Sequence, residues 1–318
     1  MTCRICGNSE GNRLFQAREM MFGSREPFDY LECGQCGTLQ IVTIPEDMAR
    51  FYPADYYSYR LPRLKQNPVR TFLRYHRAKN YLGLPSLMGR LAAHKENQRP
   101  AIFRFLKAAR VNQATPILDV GCGSGNLLAE LAKYGFRDLT GIDPFLAEDV
   151  HFTAQFRVLR KSIEEETRRY PLVMLHHSFE HMADPLLVLR RVKDLVSDGG
   201  TLLIRIPLAG TFACRHYGRD WVQLDAPRHL FLHTERSMHL LTSAAGLRVR
   251  EIIYDSEPFQ FWGSEQIKRD MPLSDPRSYG SNPAGSIFTR AEIKAFALES
   301  RRLNAARDGD QACFLLER

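Results

Sequence analysis

Four of the seven cysteines stand in two close pairs near the N-terminus. The first pair is Cys3 and Cys6, the second is Cys33 and Cys36, and 26 residues separate the pairs. A glycine follows each pair and permits the tight turn that wraps a backbone around a metal ion. Paired C-x-x-C spacing with an odd cysteine total favours metal ligation over disulfide bonds. We therefore expect four thiolates to hold a structural Zn²⁺ ion tetrahedrally, with no position open for catalysis.

A glycine-rich turn within ILDVGCGSGNLL is the second pattern with clear chemistry. A short apolar strand carrying Asp119 leads through Gly121, Gly123 and Gly125 into a helix. Glycines let the backbone approach a ligand closely, and the helix N-terminus offers free N–H groups. A dinucleotide-binding turn would have glycine where Asn126 stands. Asp119 would attract an ammonium or sulfonium group and repel a pyrophosphate, and S-adenosylmethionine carries both of these cations.

Histidines and a glutamate cluster after a later apolar strand, in LVMLHHSFEHMADP. In open α/β sheets the carboxyl end of a strand faces the ligand crevice. A hydroxyl acceptor has a high pKa, so a positioned imidazole would help to remove its proton. His177 and His181 are therefore candidate general bases. The alternative is that Glu180 and His181 only bond to backbone and cap the next helix.

A long loop, residues 207–233, leaves the end of another strand and should overhang the same crevice. Its His229 is a further candidate base. Trp221 would offer a flat face to a sugar ring or a base, and Arg228 would clamp a phosphate through two hydrogen bonds. The alternative is that Trp221 packs the loop onto the domain and that His229 bonds only to backbone.

Alternating apolar strands and helices must position these groups. The predicted strands are 117–120, 139–143, 156–159, 172–176, 201–206, 249–255 and 312–317. The predicted helices include 96–111, 126–134, 185–196 and one that Thr234 caps. This alternation favours an α/β fold with a Rossmann-like, doubly wound sheet covered by helices on both faces.

The chain resembles the class I S-adenosylmethionine-dependent methyltransferases, whose first motif has the form D-x-G-x-G-x-G. The resemblance covers about residues 100–255 and the terminal strand, which it implies to be antiparallel. The cofactor-binding residues that it implies are Asp119, Gly121, Cys122, Gly123, Gly125, Asn126, Asp143, Ser162, Ile163 and His177. Within this set, the glycine turn cradles the aminoacyl end of the cofactor and Asp143 holds the ribose hydroxyls. Ser162 and Ile163 lie at the adenine.

Two further resemblances bear on the acceptor. The His177–His181 segment is similar to the E-x-x-E-H segment that is linked to a divalent metal in quinone-biosynthesis O-methyltransferases, with His177 in place of the first glutamate. Cysteine knuckles before a class I domain, the run FYPADYY and the stretch W…LDAPRHL resemble bacterial sugar methyltransferases, including nucleotide-sugar C-methyltransferases. Those C-methyltransferases carry a further C-terminal domain, so the resemblance implies O-methylation of a nucleotide- or lipid-linked sugar.

The net charge of +8 is concentrated in one segment. Between Arg60 and Arg99 there are ten lysines or arginines and one acid, Glu96. The first interpretation is a solvated face that pairs partly with a phosphate-bearing sugar or glycan substrate. The second is a peripheral contact of residues 60–99 with an anionic membrane. A nucleic-acid surface is the least favoured.

The sequence predicts four regions. They are a zinc-knuckle module (1–45), an aromatic and basic helical linker (46–110), a catalytic domain (111–255 and 309–318) and an insertion on the active-site face (256–308). No apolar run approaches the roughly 20 residues of a membrane span and the N-terminus lacks an apolar signal core, so we expect a cytoplasmic protein. An rRNA guanine methyltransferase with a zinc module, a nucleotide-sugar C-methyltransferase and a non-catalytic adaptor remain alternatives, and no pattern indicates the oligomeric state.

Overall fold

The computed structural model describes residues 1–53, 61, 62, 64, 67–93 and 99–318. Tyr56, Tyr57 and Tyr59 of the aromatic run and Glu96, where a helix is predicted to begin, lie outside the described residues. The strands are β1 (Arg13–Arg18), β2 (Pro27–Glu32), β3 (Leu39–Ile41), β4 (Ile117–Val120), β5 (Leu139–Ile142), β6 (Val150–His151), β7 (Phe156–Leu159), β8 (Tyr170–His176), β9 (Val196–Pro207), β10 (Phe231–Leu232), β11 (Arg248–Tyr254) and β12 (Gln311–Glu317). The helices are α1 (Pro68–Tyr81), α2 (Leu87–Ala93), α3 (Ile102–Ala108), α4 (Asn126–Lys133), α5 (Pro185–Leu195), α6 (Phe212–Tyr217), α7 (Glu235–Ala244), α8 (Phe259–Lys268) and α9 (Arg290–Ala305).

Eight of the described strands form one central sheet in the order β11-β12-β9-β8-β4-β5-β7-β6. The strands β9, β8, β4, β5 and β7 run parallel, whereas β12 is antiparallel to both β9 and β11. The strand order reverses at β4, and this arrangement opens a ligand crevice at the carboxyl ends of the strands. The predicted Rossmann-like α/β sheet is confirmed, including its antiparallel last strand.

Apolar runs and helix caps explain where the chain leaves this sheet. The strands β4 and β8 are buried almost throughout, as parallel strands covered on both faces must be. Leu189 and Val192 of α5 are buried against the sheet. The Asp184 side chain caps α5 by accepting the Leu187 N–H at 3.0 Å, with Pro185 in the first turn. Residues 177–184 therefore connect the end of β8 to the capped N-terminus of α5.

A second, antiparallel sheet has the order β1-β2-β3-β10. Its first three strands come from the cysteine-paired N-terminus, whereas β10 belongs to the 207–233 segment and pairs with β3. Tyr30, Ile41 and Phe231 are completely buried in the core that this sheet shares with that segment. The N-terminal module and the 207–233 segment therefore share one sheet and one core.

The 207–233 segment is not the unstructured loop that the sequence suggests. It contains α6, 3-10 turns at Gly218–Asp220 and Val222–Leu224, and β10. Leu224 packs in the same core as the N-terminal sheet, which supplies the apolar surface that the sequence of the segment alone does not reveal. Burial of its apolar side chains therefore orders the segment.

The insertion 256–308 leaves the sheet at the same edge as the glycine turn. This follows because β11 and β9 are both antiparallel to β12 and so run in one direction. The insertion contains α8 and α9, and the side chain of Thr289 caps α9. Within the described ranges, none of the helices combines the length and the apolar content that crossing a bilayer requires.

Candidate active site

The glycine turn joins β4 to α4 in the middle of the carboxyl edge of the sheet. Gly121 and Gly125 have φ angles of +71° and +80°, in the left-handed region that favours glycine. A Cβ on Gly121 would lie 2.6 Å from Cβ of Ser178, and one on Gly125 would lie 2.5 Å from Cγ2 of Val158. The turn is thus pressed against β7 and against the residues that follow β8.

Two buried carboxylates lie beside this turn. Asp143 accepts the Gly123 N–H at 3.0 Å and the Phe145 N–H at 2.9 Å, one on each oxygen. Asp119 Oδ1 has no hydrogen-bond partner among the residues that the structure describes. Burial, and secondarily the charge of Asp143, raises the pKa of Asp119 to about 8. A buried carboxylate without a partner is costly, so an ammonium or sulfonium group fits this position.

The other predicted cofactor residues lie around the same edge. Cys122 Sγ packs against Gly141, where an added Cβ would approach it to 2.5 Å. Burial raises the pKa of the Cys122 thiol well above its usual range, which makes it a packing residue rather than a thiolate. Asn126 begins α4, and the partly buried Ser162 and Ile163 follow β7.

His177 is held by an arginine. Arg205 Nη1 donates to Nε2 of His177 at 2.5 Å, and Arg205 Nη2 pairs with Asp255 Oδ2 at 2.7 Å. Nδ1 of His177 faces Glu180 Oε1 at 3.3 Å. Burial, and after it the charge of Arg205, holds the pKa of His177 well below its usual range. His177 is therefore neutral and its one lone pair is turned to Arg205, which disfavours it as a general base.

In His181 and His229 the bonded ring nitrogen is Nδ1, whereas in His177 Nε2 is bonded to Arg205. Nδ1 of His181 lies 2.8 Å from the carbonyl oxygen of Arg228, and Nδ1 of His229 lies 2.7 Å from that of Gln223. A carbonyl only accepts hydrogen bonds, so each Nδ1 carries a hydrogen and Nε2 is the nitrogen of each ring that accepts a proton. Burial, and then the neighbouring His229, lowers the pKa of His181. The two ring centroids are 4.8 Å apart.

Glu180 completes this cluster. It is buried, its Oε1 lies 4.0 Å from His229 Nε2, and its Oε2 has no hydrogen-bond partner within the described chain. One nitrogen of each histidine, His181 and His229, and one oxygen of Glu180 lie within 4.8 Å of one another. Metal-bound histidines usually have their second nitrogen fixed by a carbonyl or carboxylate, as both have here. The three side chains therefore fit a divalent transition metal, whereas His177, bonded to Arg205, does not replace the first glutamate of the metal-linked segment.

The N-terminal module fixes the backbone around His229. The Tyr30 hydroxyl donates to the carbonyl oxygen of His229 at 2.8 Å. The Ile41 N–H donates to the Leu230 carbonyl at 3.0 Å, and the Leu230 N–H donates to the Glu180 carbonyl at 2.8 Å. The backbone of residues 229 and 230 is thus bonded both to Glu180 and to the N-terminal sheet.

Arg228 and Trp221 do not form the substrate-binding surface that the sequence suggests. Arg228 is 0% exposed and donates to Asp225 Oδ1 at 2.6 Å and to Glu19 Oε1 at 3.0 Å. Trp221 is 1% exposed, and its indole N–H donates to Asp310 Oδ2 at 3.0 Å. The expected phosphate clamp and sugar platform are therefore wrong, because both side chains join buried parts of the protein.

The four paired cysteines converge at the end of the N-terminal module. Sγ of Cys3 lies 3.7 Å from that of Cys36, and Sγ of Cys6 lies 3.5 Å from that of Cys33. A tetrahedral Zn²⁺ ion with Zn–S bonds of about 2.3 Å places its sulfurs about 3.8 Å apart. Backbone N–H groups point at two of these sulfurs and would stabilise thiolates. The four sulfurs fit one tetrahedral ion.

Four residues of this region escape prediction from the sequence: Arg205, Asp255, Tyr30 and Glu19. Arg205 does leave a signal, because a charged residue within the apolar strand TLLIRI needs a buried partner. No local pattern links Tyr30 to His229, since their contact depends on the packing of segments that lie far apart in the chain.

The sheet order, the antiparallel last strand and the glycine turn define a class I S-adenosylmethionine-dependent methyltransferase fold. A family model described as a methyltransferase domain matches residues 87–252, just over half of the chain, and the chain belongs to this family. The prediction of an S-adenosylmethionine-dependent methyltransferase is therefore confirmed.

Curated relatives share this domain. A "Ubiquinone biosynthesis O-methyltransferase" of Bordetella avium (strain 197N) is 33% identical over 156 residues, which cover 42% of this chain and 63% of that protein. A protein of the same name from Hydrogenovibrio crunogenus is 33% identical over 126 residues, 34% of this chain and 48% of that protein. The chain thus spans less than two thirds of these relatives. A solved coclaurine N-methyltransferase, bound to N-methylheliamine and SAH, has a similar fold, with a TM-score of 0.43 and 16% identity over 70% of this chain and 73% of that one.

Proposed function

We propose that the protein transfers the methyl group of S-adenosylmethionine to a hydroxyl oxygen of a small-molecule acceptor. The observation that carries the proposal is the presence of two groups at the carboxyl edge of the sheet. One is the buried carboxylate of Asp119, whose Oδ1 lacks a hydrogen-bond partner within the described chain. The other is His229, whose Nδ1 bonds to the Gln223 carbonyl and so leaves Nε2 as the nitrogen that accepts a proton. The carboxylate suits a cationic donor, and the imidazole suits removal of an acceptor proton.

The cofactor would be held by residues of the turn and of the neighbouring strands. Asp119 would pair with the ammonium group at the aminoacyl end. Each Asp143 oxygen accepts one backbone hydrogen bond and keeps a further lone pair for a ribose hydroxyl. Ser162 and Ile163 are proposed to contact the adenine, as the family resemblance implies.

The chemistry requires one displacement and one proton transfer. The acceptor oxygen attacks the methyl carbon, the carbon–sulfur bond breaks with its electron pair going to sulfur, and S-adenosylhomocysteine is formed. The acceptor proton passes to Nε2 of His229, whose ring is oriented by the Gln223 carbonyl. Glu180, 4.0 Å from that nitrogen, would stabilise the resulting imidazolium. His181 is the second candidate base.

Glu180, His181 and His229 are also the residues that would hold a divalent metal. A metal there would supply Lewis acidity that lowers the pKa of an acceptor hydroxyl. The two roles of His229 exclude each other, because a lone pair given to a metal does not accept a proton. Measurement of metal content in the native protein and in a His229 variant therefore separates them.

The chemical class of the acceptor is a finer proposal. The names of the O-methyltransferase relatives support a hydroxyl acceptor, and a phenol is one such class. A nucleotide- or lipid-linked sugar hydroxyl is the acceptor that the resemblance of the cysteine module implies. The burial of Trp221 and Arg228 removes two groups expected to bind such a sugar. An rRNA guanine or a sugar carbon stays an alternative without a structural observation in its favour.

Calorimetry with S-adenosylhomocysteine tests the cofactor site. We expect the native protein to bind it and Asp119→Ala to lose binding, because no other group replaces the buried carboxylate. Asp194→Ala, at an exposed position of α5, is the matched control and should bind like the native protein. Native protein without affinity for this product would refute the proposal.

Methyl transfer from labelled S-adenosylmethionine then identifies the acceptor class. The panel holds a catechol, nucleotide sugars and ribosomal RNA, and label on the oxygen of a phenol or sugar is the expected result. Label only on RNA or on a sugar carbon would favour the alternatives.

We also propose a structural Zn²⁺ ion at the four paired cysteines. The cytoplasmic location stays a prediction.

A further inference from the structure

The outer face of α1 and α2 exposes large apolar side chains. Of thirteen such side chains exposed in the described residues, six lie between positions 61 and 91. Val69 and Phe72 on α1 are 64% and 50% exposed, and Leu87, Met88 and Leu91 on α2 are 70%, 45% and 61% exposed. The two helices pack against each other, and we call the solvent-exposed part of this helix pair the α1–α2 face.

The α1–α2 face is also cationic. It lies in the stretch of sequence that holds ten lysines or arginines and one acid between positions 60 and 99. Arg70 is exposed next to Val69, and Arg90 is exposed next to Leu91. The exposed part of the helix pair thus carries both apolar and cationic side chains.

A cationic groove borders this face. The groove has a volume of about 580 Å³, and its charged lining residues are Arg99, Arg104, Lys107, Arg110, Arg250 and Glu251. Lys107 reaches the turn between α1 and α2, where its Cε lies 3.3 Å from the position of a Cβ added to Gly83. Arg99 donates to the Tyr81 carbonyl at 2.6 Å, at the end of α1. The groove therefore adjoins the end of α1 and the turn that joins the two helices.

This combination selects one kind of partner. A second copy of the chain would bring the same cations against each other, which opposes pairing through this face. A nucleic acid would satisfy the cations but leave the apolar side chains in water. An anionic bilayer accepts both, because apolar side chains enter the boundary between headgroups and acyl chains while arginines and lysines contact lipid phosphates.

We propose that the α1–α2 face and the cationic groove bind the surface of an anionic lipid bilayer. The protein lies on the membrane rather than across it, with Phe72 and Leu87 in the interface and Arg70 and Arg90 at the phosphates. Each cation near an anionic surface contributes about fivefold to the partition coefficient. This inference does not depend on the proposed methyl transfer.

Co-sedimentation of the full chain with vesicles tests the proposal. We expect binding to phosphatidylcholine vesicles that contain phosphatidylglycerol, loss of binding at high salt, and little binding to phosphatidylcholine alone. The double variant Arg70→Glu/Arg90→Glu should weaken partition by about 25-fold or more. Phe72→Ser/Leu87→Ser should weaken it by about tenfold. The matched control is Leu240→Ser/Leu298→Ser, on the exposed faces of α7 and α9, which should bind like the native protein.

Each other outcome would overturn the proposal. Equal binding to neutral and anionic vesicles would remove the role of the cations, and binding unchanged in both test variants would place the contact elsewhere. Failure to bind vesicles together with salt-dependent RNA binding would assign the surface to nucleic acid. Self-association that Phe72→Ser/Leu87→Ser abolishes, without vesicle binding, would assign it to a second copy. Circular dichroism and the melting temperature show that the variants are folded.

Discussion

Replacing Tyr30 by phenylalanine tests whether the N-terminal module positions the candidate base. Tyr30 is 0% exposed, and its hydroxyl donates to the backbone carbonyl of His229 at 2.8 Å. Phenylalanine keeps the ring, which stacks on Phe15 with centroids 5.9 Å apart, so the packing is preserved. The buried carbonyl loses its donor, and an unsatisfied group of this kind costs about 1–3 kcal/mol.

Tyr170→Phe is the matched control. Tyr170 is also 0% exposed, but its hydroxyl has no hydrogen-bond partner among the described residues. Removing that hydroxyl leaves nothing unsatisfied, so the free energy of unfolding should stay unchanged or rise slightly. The difference between the two variants therefore measures the Tyr30–His229 hydrogen bond rather than the general effect of losing a buried hydroxyl.

Urea unfolding and methyl-transfer kinetics read out the two consequences. We expect Tyr30→Phe to lower the unfolding free energy by about 1–3 kcal/mol and Tyr170→Phe to leave it unchanged. We also expect kcat to fall in Tyr30→Phe while the affinity for S-adenosylhomocysteine stays native. The reason is that the hydrogen bond fixes His229 but does not touch Asp119 or the glycine turn.

Two results would contradict this reasoning. If Tyr30→Phe is as stable as Tyr170→Phe, the module does not hold the segment around His229. If stability falls but kcat is unchanged, the segment is held but His229 does not accept the proton.

Three further predictions concern the cofactor acid, the base and the cysteines. Because the pKa of Asp119 is about 8 in the folded protein against 3.8 in the unfolded chain, stability without cofactor should fall as the pH rises between these values. Asp119→Asn should remove that slope in urea midpoints measured across the range, and an unchanged slope would mean that another group titrates. His229→Ala should slow turnover, and with Co²⁺ as the probe metal it should leave the amount of bound cobalt unchanged. Loss of one equivalent of bound cobalt in this variant would identify His229 as a metal ligand instead of a base. Cys36→Ser should lower the zinc content and the melting temperature together, while Cys214→Ser, outside the cluster, should change neither. Full zinc retention in Cys36→Ser would exclude the proposed site.

The central sheet and the glycine turn could be predicted because their signals are local. The strands predicted at 117–120 and 156–159 have the same bounds as β4 and β7. Strands of a covered parallel sheet are short apolar runs. A glycine turn directly after such a run is recognised from its own residues, because it does not depend on contacts with distant segments. Thr234 caps α7 as predicted, since the cap depends only on its own first turn.

The 207–233 segment could not be predicted for the opposite reason. Arginine and tryptophan in a loop suit either a binding surface or a buried contact, and the choice depends on which distant segment packs there. The buried Arg228 pairs with Asp225 and also with Glu19, 209 positions earlier in the chain. The backbone N–H groups of residues 21–24 donate to the Glu19 carboxylate, which fixes the position of its charge.

These long-range contacts connect the cysteine module to the segment that carries the proposed base, His229. The Thr234 hydroxyl donates to the Cys36 carbonyl at 2.7 Å, just after β10 has paired with β3. The same sheet presents the Tyr30 hydroxyl to His229. The carboxyl ends of β4 and β5 carry Asp119 and Asp143, whereas the proposed base, His229, lies on the 207–233 segment. The N-terminal sheet holds this segment through the pairing of β3 with β10 and through the Tyr30 hydroxyl, so we expect an ion at the four cysteines to stabilise the position of His229 through both contacts.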